Sequence, residues 1–222
     1  MKRYLNFGII FVIFLTIVLS GCGISHPVQT IQFEDDGNGF LQFYTNDSQY
    51  YNYRFTHTYS SPANPTNIEV AVKKRSGYAY SAYGIVFGYQ DIHNFYEVVI
   101  CVDGEYAIFK MVNDSWDSII NWNSSSDLAQ GYNQYNTIKL VKVDATNYTV
   151  TFNNGTAIPF NDVTFSSGRY GFITFVASST EEKFPGTPED VKFIFTSEVT
   201  GASLTPARTD LSYTESGKGS GR

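Results

Sequence analysis

Residues 83–122 read YGIVFGYQDIHNFYEVVICVDGEYAIFKMVNDSWDSIINW. Four runs rich in aromatic and β-branched residues are divided by short turns carrying Asp, Asn or Gly, the pattern of consecutive antiparallel hairpins. A meander is therefore expected at the centre of the chain. Alternation continues outward from it. Toward the N-terminus, Asn67 to Lys74 sets Ile68, Val70 and Val72 against Glu69, Ala71 and Lys73, Tyr53 to Thr58 alternates again, and Thr30 to Glu34 makes a first strand before the turn residues Asp35 to Gly39. Ser60 to Asn67, with Pro62 and Pro65, is a loop. Toward the C-terminus, Asn136 to Val143 and Asn147 to Phe152 alternate. The tight-turn signal Asn153-Asn154-Gly155 follows, and Arg169 to Ala177 and Asp190 to Thr196 give later strands. Ser178 to Pro188 reads as a polar loop, and the tail over residues 198–222 as disordered. About a dozen short strands and no helical periodicity define an all-β sandwich of two antiparallel sheets.

Composition agrees. The 222 residues include 17 Tyr and 18 Phe against only 16% charged residues, which favours strands, and the length suits one all-β core. At the N-terminus, Lys2 and Arg3 precede an apolar run from Gly8 to Val18, and Leu19-Ser20-Gly21-Cys22 follows. This string resembles the lipobox of bacterial lipoproteins. The resemblance implies a signal peptide over 1–21, diacylglycerol on the Cys22 thiol, a lipidated tether over 22–29, and an exported protein held at a membrane and facing outside the cytoplasm. Loss of Lys2 and Arg3 moves the formal charge from −6 to about −8. An acidic domain without a basic run excludes nucleic acid as a partner. Of the two cysteines, Cys101 sits in an apolar strand and is expected to be buried, so no disulfide framework supports the fold.

A second resemblance covers residues 30–196. Gly84-Ile85-Val86-Phe87, Asn94-Phe95-Tyr96, Asp103-Gly104-Glu105-Tyr106, Trp116 and Trp122 come first, followed by Asn136-Thr137-Ile138-Lys139-Leu140, Phe152-Asn153-Asn154-Gly155 and Ser167-Gly168-Arg169-Tyr170-Gly171. In this order they are similar to bacterial domains of the concanavalin A-like lectin/glucanase superfamily, whose members include laminin G-like and keto-disaccharide hydrolase-like domains. The resemblance implies a jelly-roll β-sandwich over 30–197, with ligands on a concave face or at the loop rim. It does not fix the activity.

Catalytic signals are sparse. A retaining or inverting glycosidase needs two facing carboxylates, whereas Glu34 with Asp36 and Asp103 with Glu105 both read as turn residues. His26, His57 and His93 lack ligand spacing, and no cofactor is implied; calcium has only Asp35 to Asn38 and Asp114 to Asp117 to offer. Aromatic rings stack on sugar faces, and Trp116, Trp122, Tyr83, Tyr89 and Tyr96 are the candidate ligand-binding residues. Parity places Trp116, Ile120 and Trp122 on one strand face, with Trp116 exposed at a hairpin rim. The reading favoured is a lipid-anchored envelope module that binds carbohydrate without catalysis. Its rivals are a glycan hydrolase with carboxylates drawn from separate strands and a protein-interaction subunit of an envelope complex.

Overall fold

The computed structural model describes residues 32–35, 40–45, 53–59, 64–177, 189–196 and 206–213. The expected signal peptide and tether, with Cys22, lie outside them, as do His26, the expected turn at 36–39 and the expected loop at 178–188.

The described chain is all-β. Its strands are β1 (Gln32–Asp35), β2 (Leu41–Thr45), β3 (Tyr53–Tyr59), β4 (Asn67–Ser76), β5 (Tyr83–Asp91), β6 (Asn94–Ile100), β7 (Glu105–Val112), β8 (Ser115–Ser124), β9 (Asn136–Lys142), β10 (Asn147–Phe152), β11 (Ile158–Asn161), β12 (Arg169–Val176), β13 (Glu189–Phe195) and β14 (Pro206–Tyr213). Two seven-stranded antiparallel sheets form from them. Sheet A runs β1-β2-β13-β4-β9-β10-β11 and sheet B runs β14-β3-β12-β5-β6-β7-β8. The meander is the β5-to-β8 half of sheet B, and the chain crosses repeatedly between layers in jelly-roll fashion.

Alternation explains which side chains meet between the sheets. Ile68, Val70 and Val72 of β4 and Ile138 and Leu140 of β9 face Tyr83, Ile85 and Phe87 of β5 and Val98 and Ile100 of β6 in one aromatic-rich core. Sheet B is apolar on its other face too. Val86, Phe95, Val99, Phe109, Met111, Ile173 and Phe175 form a second cluster there. Strands covered on both faces read as continuous apolar runs, which accounts for Val98-Val99-Ile100-Cys101-Val102. Cys101 is buried in this second cluster, as expected.

Two expectations are corrected. Residues 206–213, read as part of a disordered tail, are strand β14, antiparallel to β3 with Leu211 opposite Phe55. A ladder is built from main-chain groups, so a strand closing an open edge needs little apolar periodicity. The second correction concerns parity. Register shifts between β7 and β8 flank the Ile108–Ile120 pair, so Ile120 packs against the core between the sheets while Trp116 and Trp122 pack against the outer cluster. Each extra residue of a bulge turns the following side chains to the other face.

Candidate functional site

Where the two sheets part at one margin, a pocket of about 340 Å³, counting space open to solvent, is lined from both layers. Ile68, Leu140 and Tyr148 come from sheet A and Phe87 from sheet B; Phe165 and the rim residues Asn64, Lys142, Ser166 and Ser167 are among the others. Ile68, Phe87, Leu140 and Tyr148 are buried and form an apolar floor. Asn64, Ser166 and Ser167 are exposed.

The loop between β11 and β12 owes its shape to Tyr96. The phenol donates to Asp162 Oδ1 at 2.5 Å and accepts the Phe165 N–H at 2.9 Å, while the two rings meet edge to face at 4.9 Å. Asp162 also takes the Thr164 N–H at 2.7 Å and the Lys110 ammonium at 2.8 Å. Burial pushes the Asp162 carboxyl up, but the donors from Lys110, Thr164 and Tyr96 outweigh it and hold the group far below the ordinary carboxylate range. Burial, reinforced by Asp162, raises the Tyr96 phenol. At the far end of the loop, Lys142 Nζ donates to the Ser166 carbonyl at 2.8 Å, and Asn64 Oδ1 accepts the Gly168 N–H at 2.5 Å. Gly168 lets the loop backbone meet that of β5: a Cβ there would stand 2.3 Å from the Gly88 carbonyl carbon. The rim is fixed before any ligand arrives, which lowers the ordering cost of binding.

The outer face of sheet B has different chemistry. Arg54 Nε lies 3.1 Å from Glu97 Oε2, with both side chains fully buried, and the guanidinium carbon sits 3.8 Å from the Trp116 ring centroid and 4.6 Å from that of Phe175. Burial pushes Arg54 down and Glu97 up, and each partner opposes the other's shift. The Trp122 indole N–H is buried there without a hydrogen-bond partner among the described residues.

These positions redistribute the sequence candidates. Tyr83 is 1% exposed and Tyr96 fully buried, both within the core between the sheets, so neither ring offers a face for stacking. Tyr89, six residues on from Tyr83 and so of the same parity, packs in the outer cluster of sheet B. Gly88, at φ +56°, lies where the pairing of β5 with β6 and β12 shifts register and parity reverses. Trp116 is half-buried over Arg54 rather than standing free at a rim, and Trp122 is half-buried beside Phe109. None of the five lines the pocket. Sequence reasoning missed Phe87, Tyr148 and Phe165 as neighbours, because two strands and a loop bring them together. The available signal was Phe165, a single large ring in the polar turn Asn161 to Gly168.

Asp103 Oδ1 accepts the Glu105 N–H at 3.2 Å within the β6–β7 hairpin, as a turn carboxylate does. His93 Nδ1 lies 2.5 Å from Asp114 Oδ1 across two exposed hairpin tips, and His57 is buried in β3. Among the described residues no three His, Cys, Asp or Glu side chains gather as a metal-ligand set.

No family model and no curated protein matches this chain. Solved structures similar to it include a carbohydrate-binding module, CBM66, from Bacillus subtilis, with TM-score 0.45, 14% identity and coverage of 68% of this chain and 78% of that one. A double mutant of congerin II has TM-score 0.42 and 10% identity, over 63% of this chain and 96% of that one. Sheep galectin-11, in complex with glycerol, has TM-score 0.36 and 12% identity, over 71% and 95%. At these levels of similarity neither a ligand nor an activity carries over to this chain.

Proposed function

We propose that the protein is an exported, lipid-anchored module that holds a carbohydrate in the pocket between its sheets and releases it unchanged. The observation that carries this reading is the pairing of a buried aromatic and aliphatic floor with a rim of amide, hydroxyl and ammonium groups, on a loop already held in place. A sugar has the matching shape, an apolar C–H face and an edge of hydroxyls. The lining residues include no Asp or Glu, the carboxylates that glycoside hydrolysis uses in pairs.

Two carboxylates, Asp117 of β8 and Asp162 of the loop after β11, share the Lys110 ammonium at 3.4 and 2.8 Å. Asp162 is held ionised by its donors, which disqualifies it as the proton donor a glycosidase requires. Membrane attachment rests on the lipobox ending in Cys22.

Calorimetry and a glycan array on the full chain in detergent, with and without calcium, test the binding reading. A saccharide is expected to bind, with affinity lost in Phe165→Ala and Lys142→Ala; silence against every glycan sinks the carbohydrate reading. Reducing-sugar release abolished by Asp162→Asn or Asp117→Asn would instead establish a hydrolase. Mass spectrometry should find acyl chains on Cys22, and Cys22→Ser should move the protein out of the membrane fraction.

A further inference from the structure

The floor and the rim of the pocket between the sheets leave different things open. Ile68, Leu140, Tyr148 and Phe87 are 1%, 3%, 4% and 5% exposed, so the floor shows only a spot of carbon surface, far less than the face of a pyranose covers. The sheltered space above that spot is about 30 Å³, room for about two water molecules. A sugar ring therefore stays outside, against the half-buried ring of Phe165, and only one of its substituents can enter. The rim keeps hydrogen-bonding capacity in reserve. Asn64 uses its Oδ1 and its backbone N–H on Gly168, which leaves the side-chain NH2 open. Lys142 Nζ makes one hydrogen bond, to the Ser166 carbonyl, and keeps two N–H groups. The exposed hydroxyls of Ser166 and Ser167 bond to no described residue.

We propose that this pocket selects saccharides carrying an acetamido group, that is, N-acetylated amino sugars; the inference rests on the carbohydrate reading above and names its ligand class. The acetamide methyl matches the apolar spot in size and chemistry. Its carbonyl accepts from the Asn64 amide and the Lys142 ammonium, its N–H donates to a serine hydroxyl, and the C–H face of the ring rests on Phe165. The parent sugar, with a hydroxyl in place of the acetamide, leaves the carbon spot wet. A free amino sugar brings a second cation to Lys142 and sets a charge over an apolar floor. A 6-deoxy sugar supplies a methyl group but no carbonyl for the rim donors.

The test is saturation-transfer NMR on the full chain in a detergent without a sugar headgroup. The probes are methyl glycosides of N-acetylglucosamine, N-acetylgalactosamine and N-acetylmannosamine, each beside its free amine and its parent sugar, together with those of fucose and rhamnose. At least one acetylated sugar should bind about tenfold or more tightly than its amine and its parent, with the strongest transfer at the acetyl methyl. Asn64→Asp keeps the oxygen that holds Gly168 and removes the NH2, so it should weaken that binding by about tenfold with the unfolding midpoint unchanged. Should the midpoint fall, Ser166→Ala combined with Ser167→Ala, at exposed side chains, carries the same expectation. If parent or 6-deoxy sugars bind as tightly as the acetylated ones, if transfer centres on ring protons, or if the variant used keeps its affinity, the acetamide proposal falls while the carbohydrate reading stands. If no saccharide binds, both fall.

Discussion

The Tyr96 hydroxyl joins the core to the pocket rim, since a single oxygen holds both Asp162 and the Phe165 amide. Tyr96→Phe keeps the ring and removes that oxygen, leaving two partly buried partners short of a bond. Urea unfolding should show a loss of about 1–3 kcal/mol, and saccharide affinity should fall with it. His57 supplies a pH dependence. Burial among Phe33 and Tyr59 lowers its pKa to about 4, below its ordinary value. A group depressed in the folded state contributes stability in full above its unfolded pKa of about 6.5, and that contribution is lost as pH falls toward the folded value. The unfolding midpoint should therefore drop between about pH 6.5 and 4, and His57→Gln should flatten that limb relative to wild type. The fate of individual rings was the least legible feature of the sequence. Tyr83 and Tyr89 share parity, yet they lie on opposite faces of sheet B because the backbone turns at Gly88.

Strands were far more legible, because period-two alternation survives wherever one face is buried and the other wet. Asn147–Phe152 matches its expected position, and Asn67–Ser76 runs two residues past the expected Lys74. Alternation fails in β8, where two register shifts re-aim the side chains, and it carried too little contrast to reveal β14. Sheet B, apolar on both faces, places an ion pair within its outer layer. Glu97→Gln would leave the Arg54 charge without its counter-charge in that layer, at a cost of about 3–5 kcal/mol by chemical denaturation. Replacing both residues with apolar ones of similar volume should cost much less, since the two desolvation penalties vanish together. A double-mutant cycle separates these outcomes. On the opposite layer, Lys74 and Glu189 make a second buried pair at 2.6 Å, with Ser81 donating to the same carboxylate at 2.8 Å.

For the molecule as a whole, the fold class could be read from the sequence, whereas the pocket could not. Its lining residues run from Asn64 to Gly168 in sequence, and nothing in their local patterns signals that they converge. The same remoteness governs assembly. β3 pairs with β12 and β14, and β13 with β2 and β4, so each sheet closes only when distant segments meet. Loop closure must precede any gain from such pairings. Refolding from urea, followed by stopped-flow fluorescence, should accordingly take milliseconds to seconds rather than microseconds.

The sheet margins have a consequence of their own. β1 and β11 are only four residues long, β11 carries Pro159, and β8 is broken by two register shifts. A straight outermost strand would offer its open amides and carbonyls to an identical molecule alongside. The fourth border, β14, is eight residues long and shifts register against β3 between Pro206 and Arg208; at the other three, many copies can crowd together without zipping into fibrils.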